Sequence, residues 1–153
     1  MQRQALITLM TGIAILASLG CAPAEQTVEE PVPEAPRDGI FIHLSHGPEE
    51  PHRVLMALRM AELMAADKDV LVYLDITGIE VVLAGAEPIE HATFPASSEQ
   101  IPRLLELGVP LYACPGCLQA AGKTADDLME GIQVANKDAF FGFTEGRILT
   151  LDY

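Results

Sequence analysis

From Gly39 onward, short runs of β-branched and aromatic residues alternate with longer segments of helical pattern, and few architectures accept that alternation. Gly39–Ser45 (GIFIHLS) predicts a buried strand that ends at a Gly-Pro turn. Pro51–Ala66 predicts a helix with Pro51 near its first turn. Val70–Leu74 and Gly78–Leu83 are two further apolar runs, both expected as strands. Ser97-Ser98-Glu99-Gln100 opens a second helix, expected to run to about Leu107 before Gly108. Val109–Ala113 predicts a strand that ends directly on Cys114-Pro115-Gly116-Cys117. A helix begins at Leu118–Ala121, Thr124–Asp127 caps another turn, and Ile132–Val134 is a short strand. A last helical segment at Lys137–Phe143 leads to Arg147–Leu151. Strands alternating with helices imply βαβ units, hence an α/β fold with a mostly parallel sheet and helices on both faces. In such sheets functional groups collect beyond the C-terminal strand ends. Two loops qualify, Ser45–Pro51 and Cys114–Cys117.

The chain ahead of this domain has a different character. Ala5–Leu19 is almost continuously apolar, preceded by Arg3 and followed by small residues, which is the layout of a secretory signal. The run is short for a membrane span, which takes about 20 apolar residues. It closes on Leu19-Gly20-Cys21, which resembles the lipobox of bacterial lipoproteins, with Ser18 where Leu is usual. That resemblance implies residues 1–20 as a lipoprotein signal peptide and Cys21 as the acylated first residue of the mature form. Several acyl chains give stable anchoring where one is marginal. Ala22–Asp38, with its prolines and Glu25, Glu29, Glu30, Glu34 and Asp38, predicts a disordered tether that self-repels. Residues 21–38 are thus expected as a spacer and 39–153 as one folded domain. The residues after Cys21 are Ala22 and Pro23, without the Asp that resembles an inner-membrane retention signal in enteric bacteria, so the lipoprotein resemblance implies the outer membrane in a two-membrane host.

The full chain carries a net charge of −13, and loss of residues 1–20 removes Arg3 and no acid, giving −14. Such a charge argues against nucleic acid as a partner and against direct binding to anionic headgroups.

Three cysteines minus the lipidated one leave Cys114 and Cys117, so the fold has no disulfide framework and relies on its core. Cys114 falls where a strand ends and a helix begins, where backbone N–H groups favour the thiolate. Cys117 lies one helical turn away, within reach of a mixed disulfide or persulfide on Cys114. Four readings of the pair stand open: a sulfur-carrying site, a dithiol/disulfide redox centre, a site for a thiophilic metal such as copper or zinc, and a structural pair. A thioredoxin-like placement is disfavoured, because only 36 residues follow Cys117. His46, in the loop after the first strand, is the auxiliary candidate, as a partner that lowers the Cys114 pKa or as an added metal ligand. His43 reads as a packing residue, and His52 and His91 as surface positions. On the helix at 51–66, Met56, Met60 and Leu63 share a side with His52, Arg53 and Arg59. A helix apolar on nearly all sides is buried on more than one, so an oligomer is expected.

Gly108-Val109-Pro110-Leu111-Tyr112-Ala113-Cys114, followed by Leu118, Gly122 and Asp126-Asp127-Leu128, resembles the DsrE/DsrF-like sulfur-relay family. The opening strand, His46-Gly47-Pro48-Glu49 and the Ala-rich helix fit the same pattern, as do Gly78-Ile79-Glu80-Val81 and Phe94–Ser98. The resemblance spans about residues 39–153. It implies a three-layer α/β fold, trimers or hexamers, and a persulfide carried on Cys114. No cofactor is implied. The partners it implies are a sulfur donor or acceptor protein, or a small sulfur species. Together with the exported, periplasm-facing form, the expectation is a membrane-anchored protein that binds or relays sulfane sulfur on Cys114, with Cys117 as resolving thiol.

Overall fold

The computed structural model describes residues 35–153. The signal peptide, Cys21 and the tether up to Glu34 lie outside the described residues. The domain holds β1 (Gly39–Leu44), α1 (Pro51–Met64), β2 (Asp69–Leu74), α2 (Ser97–Glu106), β3 (Leu111–Ala113), α3 (Pro115–Ala120), β4 (Gln133–Val134), α4 (Lys137–Phe141) and β5 (Ile148–Asp152). The strands form a five-stranded sheet in the order β4-β3-β2-β1-β5. Every pairing is parallel. The expected α/β fold is therefore present.

Alternation along the strands builds the two faces. Ile40, Ile42 and Leu44 of β1 stand opposite Val70, Val72 and Leu74 of β2, and all six are buried. Leu111 and Ala113 continue the same row on β3. Helix α1 covers this row with Val54, Leu55, Leu58 and Ala61, each fully buried, at the three- and four-residue spacing of one helix face. Each such aliphatic side chain contributes about 1.5–3 kcal/mol on burial, so this layer holds most of the domain together. Pro51 opens α1 in its first turn, where the missing N–H leaves no bond unmade.

Helix α2 packs beside α1 through Ile101 and Leu104. It ends at Gly108, whose φ of +74° is the left-handed conformation that turns the chain back into β3. The opposite face of the sheet carries Phe41, His43 and Tyr73. Helix α4 lays Phe140 over it, 5.5 Å from the Phe41 ring and 4.6 Å from the Tyr73 ring. Both faces thus carry helix, the second through this five-residue α4.

One expected strand is not a strand. Gly78–Leu83 lies mostly within a 3-10 helical segment, Ile76–Val82. β2 is already flanked by β1 and β3, so the chain leaving it cannot turn back and pair with β2. Its apolar residues Ile79, Val81 and Val82 are buried all the same. Val82 and Ala84 find backbone partners in Met129 and Asp127 instead. The start of the domain also lies slightly earlier than Gly39. The Arg37 guanidinium donates to the Ala65 and Lys68 carbonyls, and Asp38 pairs with Arg147 at 2.6 Å.

Candidate thiol site at the C-terminal sheet edge

Because all strands run the same way, the segments leaving β1, β2 and β3 emerge together. The Cys114 N–H donates to the Leu74 carbonyl at 2.8 Å, extending the β2–β3 ladder by one residue. Cys114 is also the N-cap of α3, and its sulfur accepts the Cys117 N–H at 3.3 Å. Pro115 fixes the first turn. The cysteine is thus held at both ends, by the sheet behind it and by the helix ahead.

The Cys117 and Tyr73 side chains and the Gly116 N–H, all nearby, favour the charged form of the same sulfur. Burial works against the thiolate, but these groups outweigh it and hold the Cys114 pKa below that of a free cysteine. Cys117 is shifted the other way. Burial and the neighbouring Cys114 push its thiol up, against the pull of the Ile76 N–H. The two sulfurs are thus shifted in opposite directions, Cys114 toward the thiolate and Cys117 toward the thiol. Both are free thiols, half-buried.

The Ile76 N–H reaches Cys117 Sγ at 3.1 Å from an unusual backbone. Ile76 has a φ of +48°, in the left-handed region that a β-branched residue seldom occupies. Its neighbours hold the turn in place. A Cβ on Gly78 would stand 2.2 Å from the Leu44 carbonyl oxygen, and one on Gly47 would stand 2.4 Å from that of Thr77. The Thr77 hydroxyl sits between the Glu49 carboxylate and the Ser45 carbonyl, 3.3 Å from the latter. Glu49 also accepts the Gly47 N–H at 3.0 Å. Burial is the largest single influence and opposes its charge, but the donors together outweigh it and lower its pKa.

Residues 38–145 match the DsrE/DsrF-like family. The chain belongs to that family. Its members are generally sulfur-relay proteins. Among solved structures, this DsrE/DsrF-like domain is similar to the ychN protein of E. coli, at 18% identity and a TM-score of 0.60. That match covers 74% of this chain and 99% of the other. A protein of unknown function from Methanobacterium thermoautotrophicum also matches, at 20% identity and a TM-score of 0.49, over 75% of this chain and 99% of its own. No curated protein matches the chain.

Of the residues singled out from sequence, the fold of this DsrE/DsrF-like domain brings Cys114 and Cys117 together. Cys21 lies outside the described residues. His46 is held on the loop after β1, with Nδ1 3.3 Å from Ser45 Oγ. Among the described residues no three of His, Cys, Asp and Glu converge as ligands for a metal. His52 and His91 stack on each other, their ring centroids 4.8 Å apart.

The sequence reading missed the groups beneath Cys114. His43, taken as packing, lies between two carboxylates, with Nε2 2.9 Å from Asp75 and Nδ1 3.0 Å from Asp152. Burial opposes its charge, but the two acids outweigh it and raise its pKa. The Nε2 hydrogen is poorly aligned with Asp75, so attraction between charges carries that contact. Asp75 was open to discovery, as it directly follows a predicted strand on the functional edge. Asp152 and Tyr73 gave no such signal.

Proposed function

We propose that this DsrE/DsrF-like protein carries sulfane sulfur as a persulfide on Cys114, with Cys117 as its resolving thiol. The observation that supports it is the placing of Cys114 at the turn from β3 into α3, with the Cys117 N–H directed at its sulfur. In the loading step the Cys114 thiolate attacks the outer sulfur of a donor R–S–SH. A new S–S bond forms on Cys114, the donor S–S bond breaks, and the electron pair leaves on RS⁻. In the resolving step the Cys117 thiolate attacks Cys114 Sγ, forms the Cys114–Cys117 disulfide and releases HS⁻. Ahead of that step the loaded form passes its outer sulfur to an acceptor. The acceptor is a protein or a small sulfur species.

A second reading, a dithiol/disulfide centre, uses the same pair and is favoured by the closeness of Cys117 to Cys114. A copper or zinc site is the third; the N–H groups already directed at both sulfurs weigh against it. Acylation at Cys21 would place the domain at a membrane surface facing the periplasm, at the outer membrane in a two-membrane host. Self-association, as a trimer or hexamer, accounts for the exposure of Met56 and Leu63 on α1 and Leu149 on β5.

Intact mass of the reduced protein after exposure to polysulfide tests the assignment. A gain of one sulfur atom, about 32 Da, removed by reductant and absent in Cys114→Ser, is the expected result. In Cys117→Ser, which cannot resolve to the disulfide, a lasting sulfur adduct is expected and its absence would favour the redox centre, while stoichiometric metal after reduced purification would favour the metal site.

A further inference from the structure

The two sulfurs of the site draw their backbone donors from different places. Cys114 Sγ takes the N–H of Cys117, three residues along its own turn. Cys117 Sγ takes the N–H of Ile76, 41 residues away in sequence, at 3.1 Å. That second donor is delivered by the turn leaving β2, which is fixed from several sides. The Asp75 N–H donates to the Leu44 carbonyl at 3.2 Å, and the Asp75 carboxylate lies 2.9 Å from His43 Nε2. The Gly78 N–H donates to the Asp75 carbonyl at 2.7 Å, and Gly78 itself fits against Leu44 with no room for a side chain. Between these anchors Ile76 keeps a φ of +48°, although its own side chain is exposed. Backbone strain persists where the surroundings over-determine it, and here it aims a donor at a reactive atom.

We propose that Ile76, through its backbone N–H, is a catalytic residue of this site, stabilising the anionic sulfur of Cys117 both when the Cys114–Cys117 disulfide closes and when it reopens. The inference rests on the reading of Cys117 as the resolving thiol. A hydrogen bond to a charged acceptor is stronger than one to a neutral sulfur, so the amide favours the thiolate over both the thiol and the disulfide. On closing, the Cys117 thiolate attacks Cys114 Sγ, the bond to the outer sulfur breaks, and HS⁻ leaves with the electron pair. On reopening, the thiolate of an external thiol attacks Cys114 Sγ and forms a mixed disulfide there. The electron pair of the broken bond then returns to Cys117 Sγ, where the Ile76 N–H receives it. In the resting pair, burial and the neighbouring Cys114 push Cys117 toward the thiol. Loading changes that balance, because Cys114 Sγ is then bonded to a second sulfur and its charge moves one atom outward. The Ile76 donor is fixed by the backbone and stays in place. The titratable groups around Cys117 are Cys114 at the end of β3, Tyr73 and Asp75 from β2 and its turn, and His43 and Asp152 behind Asp75.

The test is the pH dependence of Cys117 alkylation, located by fragment mass spectra, in the full chain carrying Cys114→Ser. Serine keeps the cap on α3, and no disulfide can form within the pair. Replacing Ile76 by its α-hydroxy acid exchanges the N–H for an ester oxygen and keeps the side chain. This ester is expected to move the Cys117 midpoint up by about one pH unit, or about tenfold less thiolate at neutral pH. Ile76→Gly retains the N–H and is expected to leave the midpoint in place. With Cys114 restored and loaded by polysulfide, the ester is expected to release HS⁻ about threefold more slowly, since the more basic thiolate is scarcer but more nucleophilic. An unchanged midpoint in the ester overturns the proposal. So does an equal rise in Ile76→Gly, which would assign the effect to the shape of the turn. A second measurement needs no change at Ile76. Its amide proton, followed by NMR in the Cys114→Ser chain, is expected to move downfield as Cys117 ionises, and an amide that does not follow that ionisation overturns the proposal. Neither alkylation nor the amide shift needs sulfane sulfur, so failure here is distinct from failure of Cys114 to take up a persulfide.

Discussion

The Ile76 amide donates to Cys117 Sγ at 3.1 Å from a backbone held at φ +48°. For a β-branched residue this conformation costs about 1–3 kcal/mol, and the Ile76 side chain, 63% exposed, regains little of that by burial. The backbone donor, rather than the side chain, explains the conformation. Ile76→Gly is accordingly expected to change stability by no more than about 1 kcal/mol, since glycine accepts this φ and the N–H remains. Ile76→Pro, which removes the donor and requires a negative φ, is expected to lose about 3 kcal/mol or more. Urea denaturation of the two variants checks the contrast, and equal losses would contradict it.

The turn is held by contact with the loop after β1, and Gly78 is the tightest point of that contact. A methyl group there would press on the Leu44 carbonyl at 2.2 Å, and backbone cannot yield as a flexible side chain can. Gly78→Ala is expected to cost about 1–3 kcal/mol and to slow Cys114 alkylation, because the displaced turn carries both Asp75 and Ile76. A variant of undiminished stability and reactivity would show that the turn does not position the site.

His43 gives the domain a pH dependence of definite sign. Its pKa is raised in the folded state by Asp75 and Asp152. Its contribution to stability is therefore complete below the unfolded value, about 6.5, and is lost as pH rises through the raised folded value. Thermal unfolding of the wild type is expected to show this loss on the alkaline side of 6.5, and His43→Gln is expected to lack it. Parallel curves for the two proteins would contradict the ion-pair account.

Leu58 tests the weight of the α1 layer. It is fully buried against the β1–β2 row. Leu58→Ala is expected to cost about 2–5 kcal/mol, measured by denaturant unfolding, without moving the alkylation midpoint of Cys114 in the protein that remains folded.

The fold was legible where local pattern and global position agreed. β1, α1, β2 and α2 were marked by apolar runs bounded by Pro51, Ser97 and Gly108, each of which has a mechanical reason to stand there. The 78–83 segment was misread because a short apolar run records burial but not hydrogen-bond partners, and only the completed sheet order shows that β2 has no free neighbour. Cys114 and Cys117 were legible because both lie in one motif at a strand end. Tyr73, His43 and Asp152 were not, because they come from three strands far apart in sequence and meet only through the parallel register. His43 shows the difficulty most plainly. Alone on a strand it has no visible partner, and its two carboxylates lie 32 and 109 residues away.

Locating the added sulfur tests the central claim most directly. After reduction and exposure to isotopically labelled polysulfide, the tryptic peptide from Leu104 to Lys123 contains both candidate thiols. Fragment spectra of that peptide are expected to place the label on Cys114, with little on Cys117. Label on Cys117, or on neither cysteine while both remain reduced and reactive, would contradict the assignment of Cys114 as the sulfur carrier.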